Sequence, residues 1–141
     1  FSNHAEGKDH STALNYCADL LFGGYDDWRL PNISELRTLI VGCQQNETDG
    51  SCGIHHECSS MNGESDSCNG IYCYACVANA GLGPAGCYWP QDLPGFCDSN
   101  MGTWSSSTLS TGAYKVDFFV GSVTSALFDS FGGVRCVRSL P

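Results

Sequence analysis

Ten cysteines in 141 residues constrain this chain more than any other feature. An even number at such density reads as a disulfide framework and places the chain in an oxidising compartment. A zinc module is the competing reading, and it needs a CxxC matched by a second CxxC or HxxxH. Here Cys73 and Cys76 form a CxxC with no matching partner, so the spacing favours five disulfides over metal. Eight of the ten cysteines, Cys43, Cys52, Cys58, Cys68, Cys73, Cys76, Cys87 and Cys97, fall in one stretch almost without periodic pattern. An unstructured loop of that length is foreign to a compact domain unless it is stapled. Their pairing is left open by the sequence.

The flanks are patterned. In "STALNYCADLLFGG" the residues Leu14, Cys17, Leu20 and Leu21 recur at helical spacing, Ser11 or Thr12 can cap, and Gly23-Gly24 is a stop. In "GGYDDWRLPNISEL", Pro31 biases Leu30 away from helix, and Asn32 stands three residues before Glu35 as in a capping box. Ile33, Leu36, Leu39 and Ile40 then make the apolar stripe of a second helix ended by Gly42. After the excursion, "WSSSTLS", "AYKVDFFVG", "SVTSALF" and "GVRCVR" read as short strands. Tyr114, Val116, Phe118 and Val120 alternate with Lys115, Asp117 and Phe119, which predicts a half-buried antiparallel strand with Lys115 on a solvated face. Cys17 and Cys136 lie outside the excursion, in the first helix and last strand. A bridge between them would tie the ends and close a loop worth about 4 to 5 kcal/mol in the chain-entropy model.

The expectation is one α+β domain over residues 1–141, with residues 43–97 as an insertion. On this view a Gly/Ser link replacing the insertion leaves a folded core. The formal net charge is −9 with only six Lys plus Arg. That excludes a phosphate-neutralising role towards nucleic acid and disfavours anionic lipid and sulfated glycans. No apolar run approaches a bilayer span, and no basic-then-apolar start is present, so any export signal lies outside this stretch.

Taken in order, "ALNYCADL", "GGYDDWRLPNISELRTLI", "TWSSS", "YKVDFFVGSV" and "GVRCVR" resemble the C-terminal domain family of the Legionella collagen-like adhesin. The likeness covers Ala13 to Val41 and Thr103 to Arg138, while the cysteine-rich middle has no counterpart in short members. The resemblance implies an exported or surface-displayed domain at the tip of a fibre, a homotrimer, a glycan or cell-surface protein ligand, and no catalytic residues. The layout also looks C-type-lectin-like: two helices packed on a small antiparallel sheet, a long variable loop region, and a last strand bridged to the first helix. The Glu-Pro-Asn and Trp-Asn-Asp calcium motifs of such lectins are missing; "WPQD" at Trp89 to Asp92 only echoes them. Formylglycine-generating oxidoreductases share that layout and form the rival class, but they need an unpaired cysteine pair.

Several clusters can carry chemistry. Tyr72, Tyr74, Tyr88, Trp89 and Phe96, with Asp92 among them, stand in stapled loops and make the candidate ligand surface, because rigid aromatics give contact area at little entropic cost. The alternative is that they are the excursion's own core. Asp26 and Asp27 beside Trp28 and Arg29 can be an acid pair or a scaffold; Trp28, Arg29, Asn32, Glu35, Trp104 and Arg135 are read as scaffold, with a carboxylate pairing Arg29, Arg135 or Arg138. His55, His56, Glu57 and Cys58 have metal-ligating chemistry without a third ligand at motif spacing. The segments 46–50 and 62–70 offer calcium-type oxygens yet fit no helix-loop-helix pattern. No cofactor is expected, calcium being the one ion the residue types suit. Cys73 and Cys76 lack the βαβ context of a redox pair. Asn32 and Asn46 are glycosylation sequons of little weight in a bacterial protein.

Overall fold

A computed structural model describes residues 1–2, 5–60, 68–97 and 101–139, and for Glu6 only the backbone. The elements are β1 (Ala5–Lys8), α1 (His10–Ala18), α2 (Ile33–Arg37), β2 (Thr103–Thr108), β3 (Gly112–Asp117), β4 (Ser122–Leu127) and β5 (Gly132–Val134), with short 3-10 turns in the excursion. The strands form one sheet in the order β1-β5-β2-β3-β4. β2 runs parallel to β5 and every other neighbour is antiparallel, so the sheet is mixed rather than the purely antiparallel one expected. The class is α+β as read from the sequence.

α2 follows its local code closely. Asn32 Oδ1 accepts from the Glu35 amide at 2.8 Å, and Glu35 Oε1 accepts from the Asn32 amide at 2.9 Å, a complete capping box. The Ile33 amide, an orphan donor of the first turn, reaches the buried Ser107 Oγ of β2 at 2.9 Å. The helix is short, and Leu39 and Ile40 are buried just beyond it.

α1 departs from expectation. Asp9, not Ser11 or Thr12, caps it by accepting from the Thr12 amide at 2.9 Å. Its buried face is His10, Ala13 and Cys17, while Leu14 and Leu21 are exposed. The helix ends at Ala18, and Gly23-Gly24, both at positive φ, instead turn a tight hairpin between Phe22 and Tyr25. β1 carried no strand signal and forms because the edge of β5 offers it a ladder, Ala5 opposite Val134.

β3 lies inside the sheet and both its faces are covered. Ala113 joins Ala13, Cys17, Trp28, Leu30, Trp104, Val134 and Cys136 under α1. Tyr114 and Val116 join Ile33, Leu36, Tyr88, Trp89 and Phe118 on the α2 side. Lys115 is therefore buried, not solvated. Its Nζ donates to the Phe131 carbonyl at 2.7 Å and lies 4.1 Å from the Trp104 ring centroid.

The excursion is part of this core. It supplies Cys43, Ile54, Tyr88 and Trp89, and the Tyr88 amide donates to the Phe118 carbonyl at 2.8 Å. Gly121, at φ +71°, lets the β3–β4 turn rest on it: a Cβ there would lie 2.7 Å from Cys43 Cβ. A Gly/Ser link in place of residues 43–97 would remove these side chains and leave Val116 and Phe118 uncovered, which corrects the expectation of an independent core.

The scaffold residues are tied by charge as well as packing. Arg29 grips Glu35 through two bonds of 2.7 Å, and Arg138 grips Asp27 at 2.7 and 3.0 Å. Arg29 first, then the Asn32 amide, hold the Glu35 carboxyl below its ordinary value of 4.5 despite partial burial. A lowered carboxyl contributes stability above its unfolded value and loses it as pH falls through the folded value. The Glu35→Gln variant, which keeps the capping box, should lose about 0.5 kcal/mol at pH 7. Its stability should also fall less steeply than that of the parent below pH 4.5 in urea unfolding.

Candidate recognition surface

Five disulfides organise the molecule. Cys17 pairs with Cys136 across 119 residues, joining α1 to the segment just after β5. Within the excursion Cys43–Cys76, Cys52–Cys73 and Cys58–Cys68 are nested one inside another, and Cys87–Cys97 closes a separate loop. Nesting leaves each inner bridge a short loop to close, so the described backbone at 43–60 and 68–76 has little freedom left to lose on contact.

The excursion lacks regular structure, so its buried carbonyls need donors from elsewhere. Arg37 provides them at one end. It is buried at the end of α2; its Nε donates to the Asn46 carbonyl at 3.0 Å, one terminal nitrogen to Glu47 at 2.6 Å, and the other to the Ile54 carbonyl. Burial lowers its pKa. Arg135 serves the far end, donating to the carbonyls of Ser2 at 3.0 Å and Pro94 at 2.7 Å, with its guanidinium 4.6 Å from the Trp89 ring centroid. Burial holds Arg135 down to about 10. Arg37 escaped the sequence reading, although it lies four residues after Ile33 and three before Ile40, inside the apolar arc.

The proposed aromatics separate into two groups. Tyr88 and Trp89 are 3% and 0% exposed, so they are core residues and cannot meet a ligand. Tyr88 Oη donates to the Val77 carbonyl at 2.5 Å, while the Trp89 ring packs at 5.2 Å from Phe118. Tyr72, Tyr74 and Phe96 are 57%, 62% and 56% exposed, and Asp92 is exposed in the turn that follows Pro90. Tyr74 lies between two disulfide-bonded cysteines, and its carbonyl accepts from Asn46 Nδ2 at 2.8 Å and Gln45 Nε2 at 3.3 Å. Tyr72 ends a 3-10 turn immediately before Cys73. The neighbouring Ile71, Val77 and Leu82 are also exposed.

Other candidates resolve structurally. Cys73 and Cys76 pair with Cys52 and Cys43, not with each other. His55 has ligand atoms within 4.8 Å of Cys58 and Cys68, but both sulfurs are committed to one bridge. His56 turns to the scaffold, its amide donating to Ser34 Oγ at 2.8 Å and its Nδ1 lying 3.1 Å from Ser107 Oγ. Asn46 is fully buried with its Nδ2 bonded to the Tyr74 and Gly121 carbonyls, so a folded chain does not offer that sequon. Glu47 and Asp49 line an open cavity of about 480 Å³ with Thr38, Gln44 and Thr48. In the second acidic segment, residues 62–67 lie outside the described residues.

All six basic residues have structural duties. Arg37, Lys115 and Arg135 are buried, Arg29 and Arg138 are ion-paired, and Lys8 lies 4.9 Å from the Tyr16 ring centroid. The outer surface is therefore more acidic than the net charge of −9 alone conveys.

The family profile of the Lcl C-terminal domain matches residues 2–138, nearly the whole chain. The chain belongs to the Lcl C-terminal domain family. The matched span includes the excursion between the two patterned flanks. No curated protein and no solved structure is detectably similar to the chain. The family is one of adhesin-associated bacterial surface domains and is not a known enzyme family. A disulfide-rich fold fits that extracellular or surface setting, and among the described residues no helix is long and apolar enough to cross a membrane.

All ten cysteines of this Lcl C-terminal domain are paired, which leaves no thiol for formylglycine-type oxidation. Thiol titration of the denatured, unreduced chain should return zero. Replacing Arg37 by Met should cost about 3 to 5 kcal/mol, because three carbonyls lose their donors in a buried site. Lys in its place should recover only part, since one ammonium cannot reproduce the guanidinium fork. Urea unfolding with the bridges intact checks both variants, and hydrogen exchange over residues 46–54 should rise first.

Proposed function

We propose that this Lcl C-terminal domain is a ligand-recognition module of a bacterial surface adhesin. Its binding surface comprises Tyr72, Tyr74 and Phe96, with Asp92 as a polar contact. The observation that carries this reading is Tyr74: an exposed aromatic ring on a backbone fixed by two flanking disulfides and two side-chain amides. A ring held so firmly in solvent does nothing for the core, whereas it contributes contact area to a partner at small entropic cost. The ligand class is a glycan or a surface protein. The absence of an uncommitted cation argues for a neutral sugar or a neutral-to-basic protein face rather than a sulfated chain.

The tip position on a fibre and homotrimeric assembly belong to the same proposal. Support for assembly comes from β4, an edge strand without a charged residue and with its outer half exposed, since such an edge lacks the usual protection against pairing. A C-type-lectin-like fold is also part of it, supported by the bridge that ties α1 to the end of the chain across a long loop region.

The test is a double substitution, Tyr72→Ser with Tyr74→Ser. Because both rings are exposed, unfolding free energy should change by no more than about 1 kcal/mol. Binding to a glycan array or to whole cells should fall at least tenfold. Undiminished binding by the folded variant would remove the loop surface from the proposal.

A further inference from the structure

The hairpin turn after α1 builds a second feature, remote in sequence from the stapled loops and independent of the recognition surface proposed above. Phe22 and Tyr25 face each other across Gly23-Gly24, their backbones paired at 3.1 and 3.2 Å. With Leu21, Gly24 and Asp26 they line an open cavity of about 400 Å³. Leu21 is 79% exposed, and Phe22 and Tyr25 are also open to solvent. Trp28 supports the turn from below, its Nε1 donating to the Phe22 carbonyl at 3.2 Å and its ring lying edge-on to Phe22 at 5.7 Å. Three apolar side chains held in solvent by a supported turn require an explanation other than the core.

The electrostatics narrow the occupant. Tyr25 already accepts a cation, since the Arg138 guanidinium lies 3.5 Å from its ring centroid. That cation is neutralised by Asp27, whereas Asp26, the carboxylate in the lining, has no ion-pair partner among the described residues. Arg138, the basic residue beside the turn, is spent on Asp27, and the other five are engaged away from it, so among the described residues none is ion-paired to Asp26. The pocket therefore combines two aromatic rings, an aliphatic wall and one unanswered carboxylate, the chemistry that receives an organic cation.

The choice between cations follows from hydrogen bonding. A primary ammonium has three N–H groups to satisfy, and beyond the Asp26 carboxylate and solvent the turn gives it little, since the Phe22 and Tyr25 backbones are spent on each other and on Trp28. A methylated ammonium has no N–H to satisfy and brings methyl groups to Leu21 and the rings. A phosphate attached to that cation would meet the Asp26 carboxylate, and the one guanidinium beside the pocket, Arg138, is already held by Asp27. We propose that the Leu21–Asp26 turn is a binding site for a trimethylammonium group carried by a small, monocationic ligand of the choline type.

The probes are choline, tetramethylammonium, phosphocholine and 3,3-dimethylbutan-1-ol, the uncharged isostere of choline, titrated into the full chain and followed by backbone amide and indole NMR shifts. Choline and tetramethylammonium should shift Gly23, Gly24, Tyr25 and the Trp28 indole N–H saturably, phosphocholine more weakly, and the isostere not at all. Tyr25→Leu and Asp26→Asn should each weaken choline by about threefold to fivefold, whereas Tyr25→Phe should retain it. Asp26 is exposed, so its variant keeps the fold and the test remains decisive. Equal shifts from the isostere would reduce the site to an apolar groove and overturn the proposal, as would choline shifts scattered over other acidic residues or no shifts at all. The Tyr72 and Tyr74 substitutions should leave choline binding unchanged, so failure here and failure of the loop surface are told apart.

Discussion

Three buried cations hold this protein together, and each does so by donating to backbone carbonyls. Arg37 serves Asn46, Glu47 and Ile54; Arg135 serves Ser2 and Pro94; Lys115 serves Phe131. A chain with so little regular structure cannot satisfy its buried carbonyls by ladders, and an unmade buried hydrogen bond costs about 1 to 3 kcal/mol. A guanidinium offers five donors in a fixed plane, so one side chain can answer several carbonyls at once. The two arginines act at opposite ends of the excursion. Disulfides limit how far its loops can wander, but the arginines determine where those loops attach.

This arrangement has a consequence for the surface. Cations taken inside are lost to the outside, and the remaining three are paired with carboxylates or laid against rings. Fold stabilisation and surface charge are thus linked through one small set of residues. A domain with six basic residues that buries three of them as internal donors and engages the other three in ion pairs or ring contacts presents carboxylates and aromatics to its surroundings. Neutral and cationic partners meet that surface without repulsion, and anionic ones do not.

The sequence was legible where the deciding physics is local. The Asn32–Glu35 capping box and the strand segments after Thr103 rest on neighbours within a few residues, and both appear in the structure, although β3 ends at Asp117 rather than running on to Val120. It was illegible where burial is set from a distance. Lys115 alternates like a surface residue, yet β5, Trp104 and the Phe131 turn close over it. Leu14 and Leu21 fit a helical stripe, but the bridge to Cys136 and the His10 bond to the Ser105 carbonyl rotate a different face inward. β1 had no pattern of its own because an edge strand of four residues needs only a neighbour with free ladder groups.

The same distinction separates the aromatics of the excursion. Tyr88 and Trp89 follow directly on Cys87, where the chain crosses under the β3–β4 turn, and the Tyr88 amide is bonded to the Phe118 carbonyl. Tyr72 and Tyr74 sit beside the Cys52–Cys73 and Cys43–Cys76 bridges, where the backbone is held and the side chains stand in solvent. Composition cannot tell these environments apart, since both are aromatic residues beside a cysteine. What separates them is position against the sheet: Tyr88 and Trp89 lie where the chain pairs with Phe118, whereas Phe96, in the same Cys87–Cys97 loop, is in solvent like Tyr72 and Tyr74. An excursion of this kind therefore does two jobs with one residue type, completing the core beneath and offering a rigid aromatic surface above.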